Sequence, residues 1–93
     1  MVRMAVLYER EVEPDRYRRH IEDFADKVEC QAFRHGKALG SPFDKPAFAY
    51  YAEFEWADMD AFKAGTRSKE FAASGADAME MGIPFSATFV ELQ

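Results

Sequence analysis

Cysteine occurs once in these 93 residues, at Cys30. No disulfide can close within the chain, which fits a reducing, cytoplasmic setting. Asparagine is absent altogether, so there is no N-glycosylation sequon. Leucine and isoleucine are scarce, three and two, which excludes a Leu-rich interior. No stretch approaches the roughly 20 apolar residues of a membrane span. The apolar opening, Val2 to Tyr8, runs at once into Glu9 and Arg10; it is too short for a signal peptide and reads as a strand. Nor is there a basic block. The densest cluster, Arg16, Arg18 and Arg19, is diluted by Asp15, Glu22 and Asp23, and the net charge is −5. Both facts argue against nucleic acid as a partner.

What is present is nine Phe, fifteen Ala and five Met. Such a core sets large rings against small alanines. The length allows one domain, residues 1–93. A domain this small buries only about 60–65% of its unfolded surface, so a dimer would support it.

The pattern along the chain predicts six main elements. Val2 to Glu9 alternates on Val2, Met4, Val6 and Tyr8, with Ala5 and Leu7 between them, so both faces of this strand read as covered. Pro14 sits at a helix first position, and Tyr17, Ile21, Phe24 and Val28 then recur at spacings of 4, 3 and 4, a stripe of about three turns. Cys30 to Leu39 reads as a strand interrupted by Gly36. The run Gly40 to Pro46 is dense in turn formers. Ala47 to Trp56 is the clearest strand, with Phe48, Tyr50, Ala52, Phe54 and Trp56 on one face and Tyr51, Glu53 and Glu55 on the other. Asp58 caps a short helix carrying Met59 and Phe62. Ser68 caps a longer one, Lys69 to Met81, whose inward face is read as Phe71, Ala72, Gly75, Ala78 and Met79. Phe85 to Leu92 is a last strand. This order is the α+β, ferredoxin-like βαββαβ arrangement, a four-stranded antiparallel sheet with its helices on one face. The other face is expected to be uncovered yet apolar, and a homodimer packed sheet to sheet, closing an α+β barrel, would cover it.

The stretch from Gly40 to Gly82, with Gly40-Ser41-Pro42 before the aromatic strand and Ser68 to Met79 before the last one, resembles the EthD family of dimeric α+β barrel proteins. The opening VRMAVLYE resembles the family's first strand. Together these cover roughly two thirds of the chain. The middle departs from the family's pattern. Family members carry a Phe and a Tyr pair on the first helix, then a His-x-Pro-Leu step and a Pro-Gly-Leu turn. One alignment puts His20 and Ile21 at the Tyr pair, another puts His20 on the family's His, and both leave the Pro-Gly-Leu turn missing. The resemblance implies a site between helices and sheet for a small hydrophobic or aromatic compound. Fold relatives include isomerases, cofactor-free oxygenases and haem-degrading enzymes.

Six residues are candidates for that site. His20 lies three residues from Tyr17 on one helix, so the two can meet and move a proton near neutral pH; the competing reading is a boundary histidine. Tyr8, Tyr50 and Trp56 can line a cavity for a flat ligand, or simply be core. His35, between Phe33 and Lys37 in alternation, can face the pocket or the surface. Of Glu53 and Glu55, one can serve as an acid in the barrel interior; the competing reading is an edge-solvated or salt-bridged role. No ligand spacing for a metal is present, no phosphate loop, and Cys30 lacks a partner histidine in its motif. The expected function is binding or transforming a small hydrophobic metabolite without metal or cofactor, by proton transfer or oxygenation, in a catabolic or biosynthetic pathway. The alternatives are a non-catalytic binding module and a haem-handling protein using His20 or His35.

Overall fold

A computed structural model describes residues 1–93. Strand β1 (Val2–Tyr8) leads into helix α1 (Pro14–Asp23), strands β2 (Ala32–Lys37) and β3 (Tyr50–Trp56), helices α2 (Met59–Thr66) and α3 (Lys69–Glu80), and strand β4 (Phe85–Glu91). The sheet order is β2-β3-β1-β4, antiparallel throughout. This is the ferredoxin-like arrangement expected from the sequence. No helix is long and apolar enough to cross a membrane.

Local chemistry sets the helix starts. Glu13 accepts the amides of Asp15 and Arg16, both at 3.0 Å, and Pro14 needs no amide partner at N1. Asp58 and Ser68 cap α2 and α3 by accepting the amides of Ala61 and Phe71.

Several boundaries differ from expectation. The first helix stops at Asp23, and Ala25–Lys27 tightens into a 3₁₀ turn, with the Val28 amide donating to the Ala25 carbonyl. That turn still delivers Ala25 and Val28 to the core. Gly36 lies within β2 rather than breaking it, and nothing crowds the place a side chain there would take. β3 begins at Tyr50, not Ala47. Phe48, outside the ladder, rests against Tyr51, the opposite face from Tyr50.

Register sorts the residues between faces. The helix-covered face joins Val2, Met4, Val6 and Tyr8 to Trp56, Phe54, Ala52 and Tyr50. Trp56, under α2, anchors one end: its Nε1–H donates to the Glu29 carbonyl at 2.9 Å, and Phe62 meets it edge-on. The uncovered face is not the apolar surface expected. Arg3 stands opposite Glu55, and Arg34 opposite Glu53. Arg3 and Glu55 are hydrogen-bonded, Arg34 reaches Glu53 at 2.5 Å and Glu55 at 3.1 Å, and Tyr51 donates to Glu53 at 2.9 Å. Ala5, Leu7 and Val90 surround this network. Charges of opposite sign in cross-strand register hold the carboxylates on a face that the alternating apolar residues alone would not describe.

Candidate functional site

α3 turns a different face inward from the one its apolar residues suggest. Ser74, Asp77 and Ala78 are buried, while Ala72 is exposed and Met79 is 73% exposed. The inward stripe is Phe71, Ser74, Asp77/Ala78 and Met81, at helical spacing. It brings a carboxylate beneath α1, where Arg16 and His20, four residues apart, both meet it.

The result is a chain of hydrogen bonds. Arg16 grips Asp77 with both arms, Nη1 to Oδ2 at 3.0 Å and Nη2 to Oδ1 at 2.7 Å. His20 Nδ1 lies 2.8 Å from Asp77 Oδ2, and its Nε2 lies 3.2 Å from the Tyr8 hydroxyl. Both His20 and Tyr8 are 2% exposed. Burial pushes the His20 imidazole below its ordinary pKa; the hydrogen bond and charge of Asp77 pull the other way without reversing it. His20 is thus neutral at pH 7 and carries one proton. Asp77 accepts only: burial raises its carboxyl, but Arg16 and His20 hold it below its usual range. The imidazole proton therefore sits on Nδ1, donated to Asp77, and Nε2 is a lone pair that accepts the Tyr8 hydroxyl proton. Burial and the nearby Asp77 charge push the Tyr8 phenol up to about 12, so Tyr8 keeps its proton until a base takes it.

This chain ends at a cavity of about 290 Å³ between α3 and the sheet, at the small end of the range for small-molecule sites. Eleven of its fourteen lining residues are hydrophobic. The space exists because small residues face one another: Gly75 and Ala78 on the helix side look across to Ala52 and Ala87. Where rings face alanines the interior closes; where alanines face alanines it does not. Phe71, Phe85 and Phe89 supply aromatic walls, and Tyr8, His20 and Ser74 supply the polar groups.

Of the six residues singled out in the sequence, Tyr8 and His20 line this cavity. The other four do not. Tyr17 stacks on Tyr50, centroids 4.1 Å apart and planes 9° from parallel, and its hydroxyl is buried with no partner. His20's ring nitrogens bond instead to Tyr8 and Asp77. His35 is exposed on edge strand β2, against the rings of Tyr17 and Phe33. Trp56 belongs to the core beneath α2. Sequence reasoning passed over Asp77, Arg16 and Ser74. The available signals were the spacing Phe71, Ser74, Ala78, Met81, which rolls the helix toward its polar residues, and the i,i+4 pair Arg16 and His20, two donors on one helix flank.

At the level of sequence, no family model and no curated protein matches the chain. Solved structures do. An EthD family protein from Bacillus halodurans superimposes with a TM-score of 0.81 at 23% identity, over 100% of this chain and 99% of that one. A dimeric ferredoxin-like protein of unknown function from Jannaschia matches with a TM-score of 0.74 at 17% identity, over 98% of each chain. A protein from Deinococcus radiodurans, proposed to be an antibiotic biosynthesis monooxygenase, matches with a TM-score of 0.67 at 8% identity, over 99% of this chain and 91% of that one. The resemblance carried by Gly40 to Gly82 and the opening strand is thus matched by the fold of the whole chain, which is the ferredoxin-like one of these neighbours.

Proposed function

We propose that this protein is an EthD-type homodimer that binds a small hydrophobic metabolite between α3 and the sheet and moves a proton at the cavity's polar wall. The observation that carries this reading is the Tyr8–His20–Asp77 chain, whose inner end is the Asp77 carboxylate, whose middle is a neutral imidazole accepting from Tyr8 through Nε2, and whose outer end is a phenol facing an apolar space. As a ligand gives a proton to the Tyr8 oxygen, Tyr8 passes its own to His20 Nε2. The products are a ligand anion and an imidazolium held against the Asp77 carboxylate. Arg16 fixes that carboxylate and Asp77 fixes the tautomer; neither touches the ligand. Monooxygenation, the activity proposed for the Deinococcus protein, can begin with the same deprotonation of an activated substrate, so this relay serves either outcome.

The uncovered sheet face supports the homodimer reading. Its carboxylates are already paired with Arg3 and Arg34, so a second copy can cover Ala5, Leu7 and Val90 without stranding a charge. The Jannaschia protein is itself described as dimeric. A haem-handling role is less well supported by the donor set: both His20 nitrogens are engaged, and His35 lies off the cavity.

The test pairs conversion with oligomeric state. Incubation with small ring compounds, followed by mass spectrometry, is expected to show conversion by the native protein that drops about 10²-fold or more in His20→Ala. Binding with no conversion of any compound would leave a storage module in its place. Sedimentation at micromolar concentration is expected to give twice the 10.7 kDa chain mass, and a stable monomer would overturn the dimer.

A further inference from the structure

Ser74 is buried, at 7% exposure, and lines the cavity beside Tyr8 and His20. Its hydroxyl has no hydrogen-bond partner in the protein, yet unlike that of Tyr17 it is not sealed from the cavity space. Serine within a helix commonly bonds the carbonyl one turn back; Thr66 does so here, with the Phe62 carbonyl, and Ser74 does not. The hydroxyl is reachable from the cavity, so a ligand bound there can take the place that water otherwise fills.

The two polar anchors differ in what they offer. Tyr8's one proton is committed to His20 Nε2, so toward the cavity its oxygen presents lone pairs only. Ser74, uncommitted, can donate or accept. No free cation faces the cavity: Arg16 is spent on Asp77, and no Lys or Arg lines the wall. A carboxylate entering this space would lose its hydration, meet the Tyr8 lone pairs and find no counter-charge. An ether would have no proton for Tyr8.

We propose that the site selects an uncharged ring compound bearing a hydroxyl group, which donates to Tyr8 Oη, with Ser74 as the second, specificity-determining anchor and Phe71, Phe85 and Phe89 holding the ring. This rests on the ligand-binding reading above and names the ligand chemistry that reading leaves open. It also places the ligand's acidic proton at the mouth of the relay.

Three probes of nearly equal size separate the terms: 2-naphthol, 2-methoxynaphthalene and 2-naphthoate, each titrated calorimetrically against the native protein at pH 7. Naphthol is expected to bind about 10-fold more tightly than the methoxy compound, and naphthoate most weakly. In Ser74→Ala, naphthol affinity is expected to fall about 5- to 10-fold, and retained binding of the methoxy compound reports that the cavity is intact. In Tyr8→Phe the preference for naphthol over its methyl ether is expected to vanish. Equal binding of naphthol and its ether by the native protein, naphthoate binding as tightly as naphthol, or an unchanged naphthol affinity in Ser74→Ala would overturn the proposal while leaving a ligand-binding cavity in place. If none of the three binds, the cavity is not a site for ring compounds, and both readings fall together.

Discussion

Both faces of the sheet bury carboxylates, and they do so in opposite ways. On the uncovered face Glu53 and Glu55 meet Arg3 and Arg34 across the strands, in register, and the network closes on itself. On the covered face Asp77 meets Arg16 and His20 from a different helix, and the chain runs on through Nε2 to Tyr8, where it stops at empty space. The first arrangement satisfies every group it contains and belongs to the architecture. The second leaves an acceptor open at the edge of an apolar cavity. A polar cluster in this fold is a candidate tool when it has a free end, whatever its charge.

The largest expected effect tests that contrast directly. Asp77→Asn keeps the shape of the side chain but removes the charge that fixes the Nδ1 proton and stabilises the imidazolium. Conversion is expected to fall about 10²-fold or more, with the remaining activity shifted in its pH profile. Glu53→Gln, the matching change on the other face, is expected to leave conversion within about 2-fold. Comparable losses in both variants would erase the distinction between the faces.

The covered face divides in turn into a closed end and an open one. At the closed end a Cβ on residue 65 would lie 2.3 Å from Trp56 Nε1 and 2.9 Å from the Glu29 carbonyl, the very pair joined by a 2.9 Å hydrogen bond. Gly65→Ala must break that bond and shift backbone or indole. The expected cost is about 3 kcal/mol, from overpacking plus a stranded indole donor, read as a fall in Tm of roughly 12–24 °C. At the open end nothing lies within 4 Å of a Cβ on Gly75, so Gly75→Ala should lack that penalty. A mild Gly65→Ala would mean the closed end has slack that the packing does not show.

The faces should also titrate in different windows. On the covered face, burial keeps His20 neutral below its ordinary value of 6.5. The unfolded chain takes up a proton near that pH and the folded chain does not, so acidification favours unfolding. The loss begins near pH 6.5 and continues until the folded histidine is itself protonated, with a slope of at most about 1.4 kcal/mol per pH unit. On the other face, the hydrogen bond from Arg3 holds the Glu55 carboxyl below its ordinary 4.5. Stability from that group is complete above about pH 4.5 and is lost only below it. Denaturant titrations at descending pH should show both declines in the native protein and only the lower one in His20→Phe. A decline near pH 6.5 that survives in His20→Phe would assign it to another group.

How much of this was legible in the sequence follows the same division. Strand alternation on Val2, Met4, Val6 and Tyr8, and on Tyr50, Ala52, Phe54 and Trp56, reports burial correctly because those residues bury by being apolar. Capping at Asp58 and Ser68 was equally readable, since a cap is satisfied within three residues. The inward face of α3 was not readable. A rule that turns apolar residues inward selects Ala72 and Met79, and the helix instead buries Ser74 and Asp77. Asp77 is tolerated there only because Arg16 and His20, 61 and 57 residues away, come to meet it, and no local pattern encodes that meeting. The same blindness read the uncovered face as apolar, since pairing across strands, not composition along one strand, decides how a charge is held.

The smallest expected effect separates two tyrosines whose rings lie 6.0 Å apart. Tyr8 and Tyr17 are both buried, and burial raises both phenols. Tyr8 has a partner for its proton; Tyr17 has a buried hydroxyl bonded to nothing and a ring stacked on Tyr50. Tyr17→Phe keeps the stack and deletes the stranded hydroxyl, so stability should rise by up to about 1 kcal/mol, with conversion unchanged within about 2-fold. Tyr8→Phe, one methyl-sized change away in the same cluster, cuts the relay at its outer end and should abolish the ligand's route to His20. If Tyr17→Phe instead lowers conversion as Tyr8→Phe does, then the hydroxyl of Tyr17 finds its partner in the bound ligand. The polar wall would then run from Ser74 past Tyr8 to α1, and the Tyr17–His20 pairing read from the helix spacing would describe the occupied site.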